Sequence, residues 1–196
     1  MTRKRTKRMM RDVLRSIKPY WLYLILIGRK TVEVGKTEPL ADDWTGKVFL
    51  YCTKDLRSFK RIPEKDREWM RKYLGKVACC FICDTVYTIK WVRDFEWGNC
   101  YWSFSYDSEA DCLSDTEFQK YFGDKEFGYG WHIDKLEKFE EPRELNSFIQ
   151  FRTQKQIESD FVIGALTGWD NNPYLKRPPQ SWCYVEAPWV LNVAFV

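Results

Sequence analysis

The order of apolar and polar positions over residues 13–34 predicts a strand, a buried helix and a second strand. Pro19 follows a short apolar strand over 13–17 and suits the first position of a helix, because its ring fixes φ and that position needs no N–H donor. Residues 20–27 are almost wholly apolar but number only eight, whereas a bilayer needs about 20, so they predict a buried core helix and no membrane span. Gly28 can take the left-handed conformation that ends such a helix.

Residues 30–34 are rich in β-branched side chains and predict the next strand. Side chains alternate between the two faces of a strand, so Val32 and Val34 share the core face and Glu33 points away from it. Lys30 lies at the turn just before this strand. The pattern therefore predicts that Lys30 and Glu33 form an exposed charged pair.

The rest of the chain predicts further strands and short helices, which makes the fold class α+β. Strands are expected over 47–53, 76–88 and 131–139. The chain closes with residues 182–186 and the apolar residues 190–196, which form a last strand or a docked tail. Helices are expected from Pro63 to Gly75, from the Ser114 capping box to Gly123, and from Pro142 to about residue 148. Residues 89–113 are dense in aromatic and acidic side chains and predict an inserted hairpin, whereas residues 150–177 show no periodicity.

Length and charge predict one domain with a basic tail. With 196 residues, 44% of them hydrophobic, the chain can bury one core, so we expect a single domain over 13–196, with an insertion around 89–113, after a disordered tail over 1–12. Residues 1–11 carry six basic side chains and no acidic one, while the remainder has 26 basic against 28 acidic residues. The tail either binds phosphates in a salt-sensitive manner or only keeps the chain soluble.

The seven cysteines are an odd number without an apolar signal-peptide segment, which predicts reduced thiols and a cytoplasmic location. Cys80 and Cys83 form a C-x-x-C, but they fall on a strand, where positions three apart point to opposite faces. His132 is the sole histidine. We therefore expect no metal site and no cofactor.

Aromatic residues make up 17% of the chain and include ten tryptophans. Two interpretations stay open: the rings pack as cross-strand pairs in a β-rich protein, or some of them form a stacking surface for bases.

Four segments carry a family resemblance. They are S-I-K-P ending at Pro19, G-x-K-x-x-E from Gly28 to Glu33, G-K-V starting at Gly75, and P-P-Q-S-W ending at Trp182. Together they resemble the ASCH domain, a branch of the PUA-like superfamily, over most of residues 13–186. The resemblance implies a PUA-like β-barrel with short flanking helices and an inserted aromatic hairpin.

The same resemblance implies a cleft beside the barrel that is lined by Lys30 and Glu33. In it an ammonium can meet a phosphate and a carboxylate can accept hydrogen bonds from a base edge. The further residues expected at the cleft are Lys18, Lys36, Gln180 and Ser181. The family usually has a basic residue at the position of Gly35, and Lys36 either replaces it or points to the opposite face. The alternative is an ordinary surface ion pair without a function.

Three classes of function remain open. The first is a binding module that takes RNA, or one of its nucleotides, into the cleft. The second is a metal-independent hydrolase of RNA or of an acylated cytidine with Lys30 and Glu33 as catalytic residues, although Glu33 stands where such amidohydrolases have a threonine. The third is an adaptor that binds a protein partner through residues 89–113.

Overall fold

The computed structural model describes residues 11–38, 46–93, 100–151, 158 and 173–187. The helices are α1 (Pro19–Leu26), α2 (Leu56–Phe59), α3 (Glu64–Arg71) and α4 (Asp115–Phe122), and two 3-10 turns cover Ser108–Asp111 and Leu145–Ser147. The strands are β1 (Asp12–Ile17), β2 (Val32–Gly35), β3 (Gly46–Cys52), β4 (Val77–Cys83), β5 (Val86–Arg93), β6 (Cys100–Phe104), β7 (Phe127–His132), β8 (Asp134–Arg143), β9 (Ile149–Gln150) and β10 (Trp182–Glu186).

The described strands pair in two sheets. The larger has six strands in the order β8-β4-β3-β1-β10-β9, and the smaller has four in the order β2-β7-β5-β6. All pairs are antiparallel except β1 with β3, which are parallel. The α+β class is confirmed. No pairing among the described strands closes a barrel, so the barrel stays a prediction.

Helix α1 starts at the predicted Pro19 and ends at Leu26, one residue before the predicted end, and Ile27 is exposed. Gly28 follows Ile27 and has a φ of +78°. The helix's apolar side chains are buried as expected, namely Leu22, Leu24, Ile25 and Leu26. The burial of this helix fixes the position of the chain on either side of it, β1 before and β2 after.

Two long strands predicted from the sequence are wrong. The expected strand over 76–88 is β4 and β5, which belong to different sheets and are separated by the exposed residues Asp84 and Thr85. The expected strand over 131–139 is likewise the end of β7 and the start of β8. Pro142 does not begin a helix but lies in β8, an edge strand of the larger sheet, where proline is tolerated.

The aromatic hairpin exists, with β5 and β6 paired and Trp91 opposite Trp102. Strand β5 also pairs with β7, so the hairpin is continuous with the smaller sheet. Its tip, residues 94–99, lies outside the described residues. Helix α4 starts at the predicted Ser114 capping box, and its Phe118 and Phe122 pack on Trp102. Packing therefore accounts for several aromatic residues of this region.

The ends of the chain and most of residues 150–177 fall outside the described part, so the predictions for the tail over 1–10 and for 190–196 stay predictions. Asp12 already belongs to β1, and the guanidinium of Arg11 lies 3.7 Å from the ring centre of Phe151.

Cys80 and Cys83 pack into different core clusters, as strand alternation predicts. None of the described helices combines the length and hydropathy needed to cross a membrane.

Candidate nucleotide-binding cavity

A cavity of about 620 Å³ opens where the end of β1, the start of α1, β2 and the end of α4 come together. Its wall contains all six site residues expected from the sequence, which are Lys18, Lys30, Glu33, Lys36, Gln180 and Ser181. Residues 180 and 181 reach it because the Ser181 carbonyl accepts a hydrogen bond from the Ser16 backbone amide in β1, at 3.0 Å. The structure thus brings together segments that are far apart in the sequence, while their functional roles remain predictions.

The floor of the cavity is a buried group of three charges. The side chain of Glu33 accepts from Arg15 Nε at 3.3 Å through Oε1, and its Oε2 lies 3.5 Å from Lys30 Nζ. Only 2% of Arg15, 2% of Lys30 and 7% of Glu33 is exposed. The prediction of an exposed Lys30–Glu33 pair is therefore wrong. All four residues of β2 are buried, because a charged side chain from β1 covers the face that strand alternation assigns to solvent.

Lys30 is held by a second set of contacts from the 3-10 turn Ser108–Asp111. Its Nζ donates to the backbone oxygen of Asp111 at 2.6 Å and lies 5.5 Å from the ring centre of Trp21. Burial lowers the pKa of Lys30, and the charges of Glu33 and Asp111 oppose that shift. These contacts therefore fix the direction of the Lys30 ammonium group. Its burial makes the charged form less favourable than it is in water.

Asp111 is itself buried and fully engaged. Its carboxylate accepts from the Tyr106 hydroxyl at 2.7 Å and from the Leu113 backbone amide at 2.8 Å. Burial raises the pKa of Asp111, whereas these two hydrogen bonds favour the carboxylate. This network positions the 3-10 turn that presents the carbonyl to Lys30.

Sequence reasoning missed Arg15. Its Nη2 donates to the Val34 carbonyl at 2.5 Å, whereas its buried Nη1 makes no hydrogen bond to any described residue. A Cβ atom at Gly35 would lie 3.0 Å from Nη1, so the absence of a side chain at that position makes room for the guanidinium. A positive charge beside Glu33 thus comes from Arg15 of β1. The sequence signal for it is one arginine in a strand that also contains the buried apolar residues Val13, Leu14 and Ile17.

The rim of the cavity carries exposed cations and aromatic rings. The Lys18 side chain is 64% exposed and its Nζ lies 3.8 Å from Asp55 Oδ2. The Lys36 ammonium lies 5.1 Å from the ring centre of Tyr121, and the exposed Lys125 completes the set. Burial raises the pKa of Tyr121, and the neighbouring Arg15 charge opposes the shift. In all, five basic side chains and one carboxylate line the cavity.

Comparison with solved structures identifies the fold. A serine-to-alanine variant of ZmASCH from Zymomonas mobilis matches with a TM-score of 0.52 and 15% identity, covering 90% of this chain and 89% of that chain. The chain has the ASCH fold. Two further ZmASCH crystal structures, one of them a tyrosine-to-phenylalanine variant, match over 90% of this chain with a TM-score of 0.47, so the assignment depends on the first. No protein-family model matches the chain, and no curated protein sequence matches it.

In this ASCH fold the cavity can offer both donors and acceptors to a ligand. Lys30 and Arg15 supply N–H groups at the floor, and Glu33 supplies carboxylate oxygens with lone pairs beyond those already engaged. Trp21 and Tyr121 supply ring faces in the wall. Among the described residues, no group of three or more His, Cys, Asp or Glu is arranged to hold a metal ion.

Proposed function

We propose that this chain binds RNA by holding one of its nucleotides in the cavity. The observation that carries the proposal is the composition of the wall, with five basic side chains against one carboxylate around about 620 Å³. Such a cavity suits an anionic ligand, and the rings of Trp21 and Tyr121 suit a planar one. An unstacked nucleotide has both properties. The PUA-like barrel and the single domain over 13–196 belong to the same proposal.

The burial of the charges sets the orientation of the nucleotide. Lys18 and Lys125 are exposed and Lys36 is half-buried, and their ammonium groups stand at the rim, where a phosphate can reach them and remain partly hydrated. The floor is buried and its polar groups have fixed directions, so it suits the polar edge of a base. There Glu33 accepts from an exocyclic amino group, while Lys30 and Arg15 donate to a carbonyl or ring nitrogen.

A hydrolase is the second candidate, and the state of Lys30 supports it. Burial lowers the pKa of this lysine, which increases the share of neutral amine that can take a proton from a water or hydroxyl nucleophile. Glu33, beside it, can orient the same proton transfer. Release of product from acetylcytidine, or cleavage of single-stranded RNA, by the purified chain would establish this activity, and binding without turnover would contradict it.

The rim lysines test the binding proposal. We expect Lys36→Ala combined with Lys125→Ala to weaken nucleoside monophosphate binding about tenfold, or about 1.4 kcal/mol, because two cations are withdrawn from the phosphate. Isothermal titration calorimetry measures this change. The matched control combines Lys90→Ala with Lys138→Ala, two exposed lysines that do not line the cavity, and it should leave the affinity unchanged. Equal affinities of the rim variant and the control would contradict the proposal.

The cytoplasmic location belongs to the same proposal. The six cysteines whose side chains the structure describes are free thiols, and four of them are buried. Free thiols suit a reducing compartment, which is also where most RNA is found.

A further inference from the structure

Helices α2 and α3 form the most basic part of the folded chain. Residues 54–76 contain nine basic and four acidic residues, although residues 12–196 as a whole contain 26 basic and 28 acidic ones. The rest of residues 12–196 therefore contains 17 basic and 24 acidic residues. A local excess of one charge on a chain of the opposite balance indicates a surface for a charged partner.

Four exposed side chains on and beside α2 are the part of this region that lies next to the cavity. We call them the α2 basic surface, and they are Lys54, Arg57, Lys60 and Arg61. The carboxylate of Asp55 is engaged as the helix cap, accepting from the Arg57 amide at 3.0 Å and the Ser58 amide at 3.1 Å. It also lies 3.8 Å from Lys18 Nζ, so this acid adds little negative charge to the surface.

Three contacts make the α2 basic surface continuous with the cavity. Thr53, which precedes Lys54, lines the cavity. The Lys18–Asp55 pair links the cavity rim to the start of α2. Arg61 lies 4.9 Å from the ring centre of Trp21, a cavity residue, and pairs with Glu117 of α4 at 2.8 Å. A strand that leaves the cavity past Trp21 therefore meets this surface first.

The α4 side of the cavity is less favourable for a phosphate chain. Residues 123–126, which follow α4, carry the acidic Asp124 and Glu126 and one basic residue, Lys125. Phosphates passing there would meet a net negative charge, whereas on the α2 side the acidic Asp55 and Glu117 are each paired with a cation.

We propose that the α2 basic surface binds the backbone phosphates of the nucleotides next to the one held in the cavity. This inference depends on the proposed function, since it requires a strand that enters the cavity. It adds the direction of that strand and a second contact region that carries affinity but does not read bases. A chain that binds RNA in this way prefers oligonucleotides to the free nucleotide.

The test compares two ligands and two charge-matched variants of the full chain. The ligands are a nucleoside monophosphate and a nine-nucleotide single strand with the same base at its centre. One variant combines Arg57→Gln with Lys60→Gln, and the control combines Lys120→Gln with Lys138→Gln, two exposed lysines away from the surface. Each double variant removes two positive charges, and dissociation constants are measured at several salt concentrations.

We expect the Arg57/Lys60 variant to bind the monophosphate as the wild-type chain does. Its oligonucleotide affinity should fall severalfold at low salt, and the slope of log affinity against log salt should decrease by about 1.4, because about 0.7 is lost with each phosphate contact to a single strand. The control should retain the wild-type slope.

The possible failures can be distinguished. If the monophosphate does not bind to the wild-type chain, the proposed function is overturned, and the flanking contact with it. If the monophosphate binds but the two variants give the same oligonucleotide slope, only the present inference is overturned. Displacement of a fluorescent acidic peptide, with oligonucleotide binding unaffected by Arg57→Gln and Lys60→Gln, would assign the surface to a protein partner instead.

Discussion

At the scale of single residues, the molecule depends on the one carboxylate that Arg15 and Lys30 share. Both buried cations form ion pairs with Glu33. Among the described residues, no other carboxylate oxygen lies within ion-pair distance of either cation. Taking such charges out of water costs several kcal/mol each, and their mutual attraction offsets that cost only while the set is complete. The same three residues that form the cavity floor therefore also connect β1 of the larger sheet to β2 of the smaller sheet.

Glu33→Gln keeps the shape of the side chain and removes its charge. We expect it to lower the free energy of unfolding by about 3 to 5 kcal/mol, because it leaves Arg15 buried without an anion and Lys30 with only the charge of Asp111 nearby. Urea denaturation measures the change. In the control Glu144→Gln, which removes an exposed partner of Lys76, we expect a loss of about 0 to 1 kcal/mol. Equal losses in the two variants would show that the Glu33 charge is not needed for stability.

Sequence reasoning could place Lys30 and Glu33 but not Arg15. The first two are three residues apart, so their proximity follows from local geometry once the turn after α1 is recognised. Arg15 reaches Glu33 from 18 positions earlier and from a different sheet, and no local pattern encodes that approach. For the same reason the burial of Glu33 could not be read from strand alternation, which describes one strand without its neighbours.

At the scale of elements, the sequence predicted best where a cap or a stop residue marks a boundary. Pro19, Gly28 and Ser114 each act locally, and the structure has a boundary at each. The predictions of long strands were wrong because the change of sheet between β4 and β5 depends on which other strands each of them pairs with. The polar pair Asp84 and Thr85 was the available signal for that break.

Strand β4 gives the fold a sensitivity to alkaline pH. Burial raises the pKa of Cys80 and Cys83 on this strand, and of Cys52 on β3, to about 12 from an unfolded value of 9.0. Between these values the folded chain keeps thiol protons that the unfolded chain loses. The protonated thiols therefore contribute their full stabilisation of the folded state below pH 9, and this contribution is lost progressively as the pH rises toward 12.

Cys83→Ala removes one of these thiols. Between pH 8 and pH 10 under reducing conditions, we expect the variant to lose about 1.4 kcal/mol less unfolding free energy than the wild-type chain does, because one proton fewer is released on unfolding. Urea denaturation at the two pH values measures the difference, and other titrating groups cancel in the comparison. Equal losses of unfolding free energy in both proteins would show that the Cys83 thiol ionises as readily in the folded chain as in the unfolded chain.

At the scale of the whole molecule, positive charge is concentrated at the cavity, at the α2 basic surface and in the first residues, while the rest is acidic. In the proposed function the cavity holds a single nucleotide, so only the other two regions can respond to strand length. Arg11 stacks on Phe151, which leaves five basic residues before it, namely Arg3, Lys4, Arg5, Lys7 and Arg8.

Deletion of residues 1–10 tests whether this segment binds phosphates or only keeps the chain soluble. We expect the deletion to weaken binding of the nine-nucleotide strand and to decrease its salt slope by at most about 3.5, since each of the five cations can account for about 0.7. Monophosphate affinity should not change, because the cavity is intact and Arg11 remains. The contribution should also add to that of Arg57 and Lys60 if the two regions contact separate phosphates. An unchanged salt slope after the deletion would mean that the strand is bound by the cavity and α2 alone.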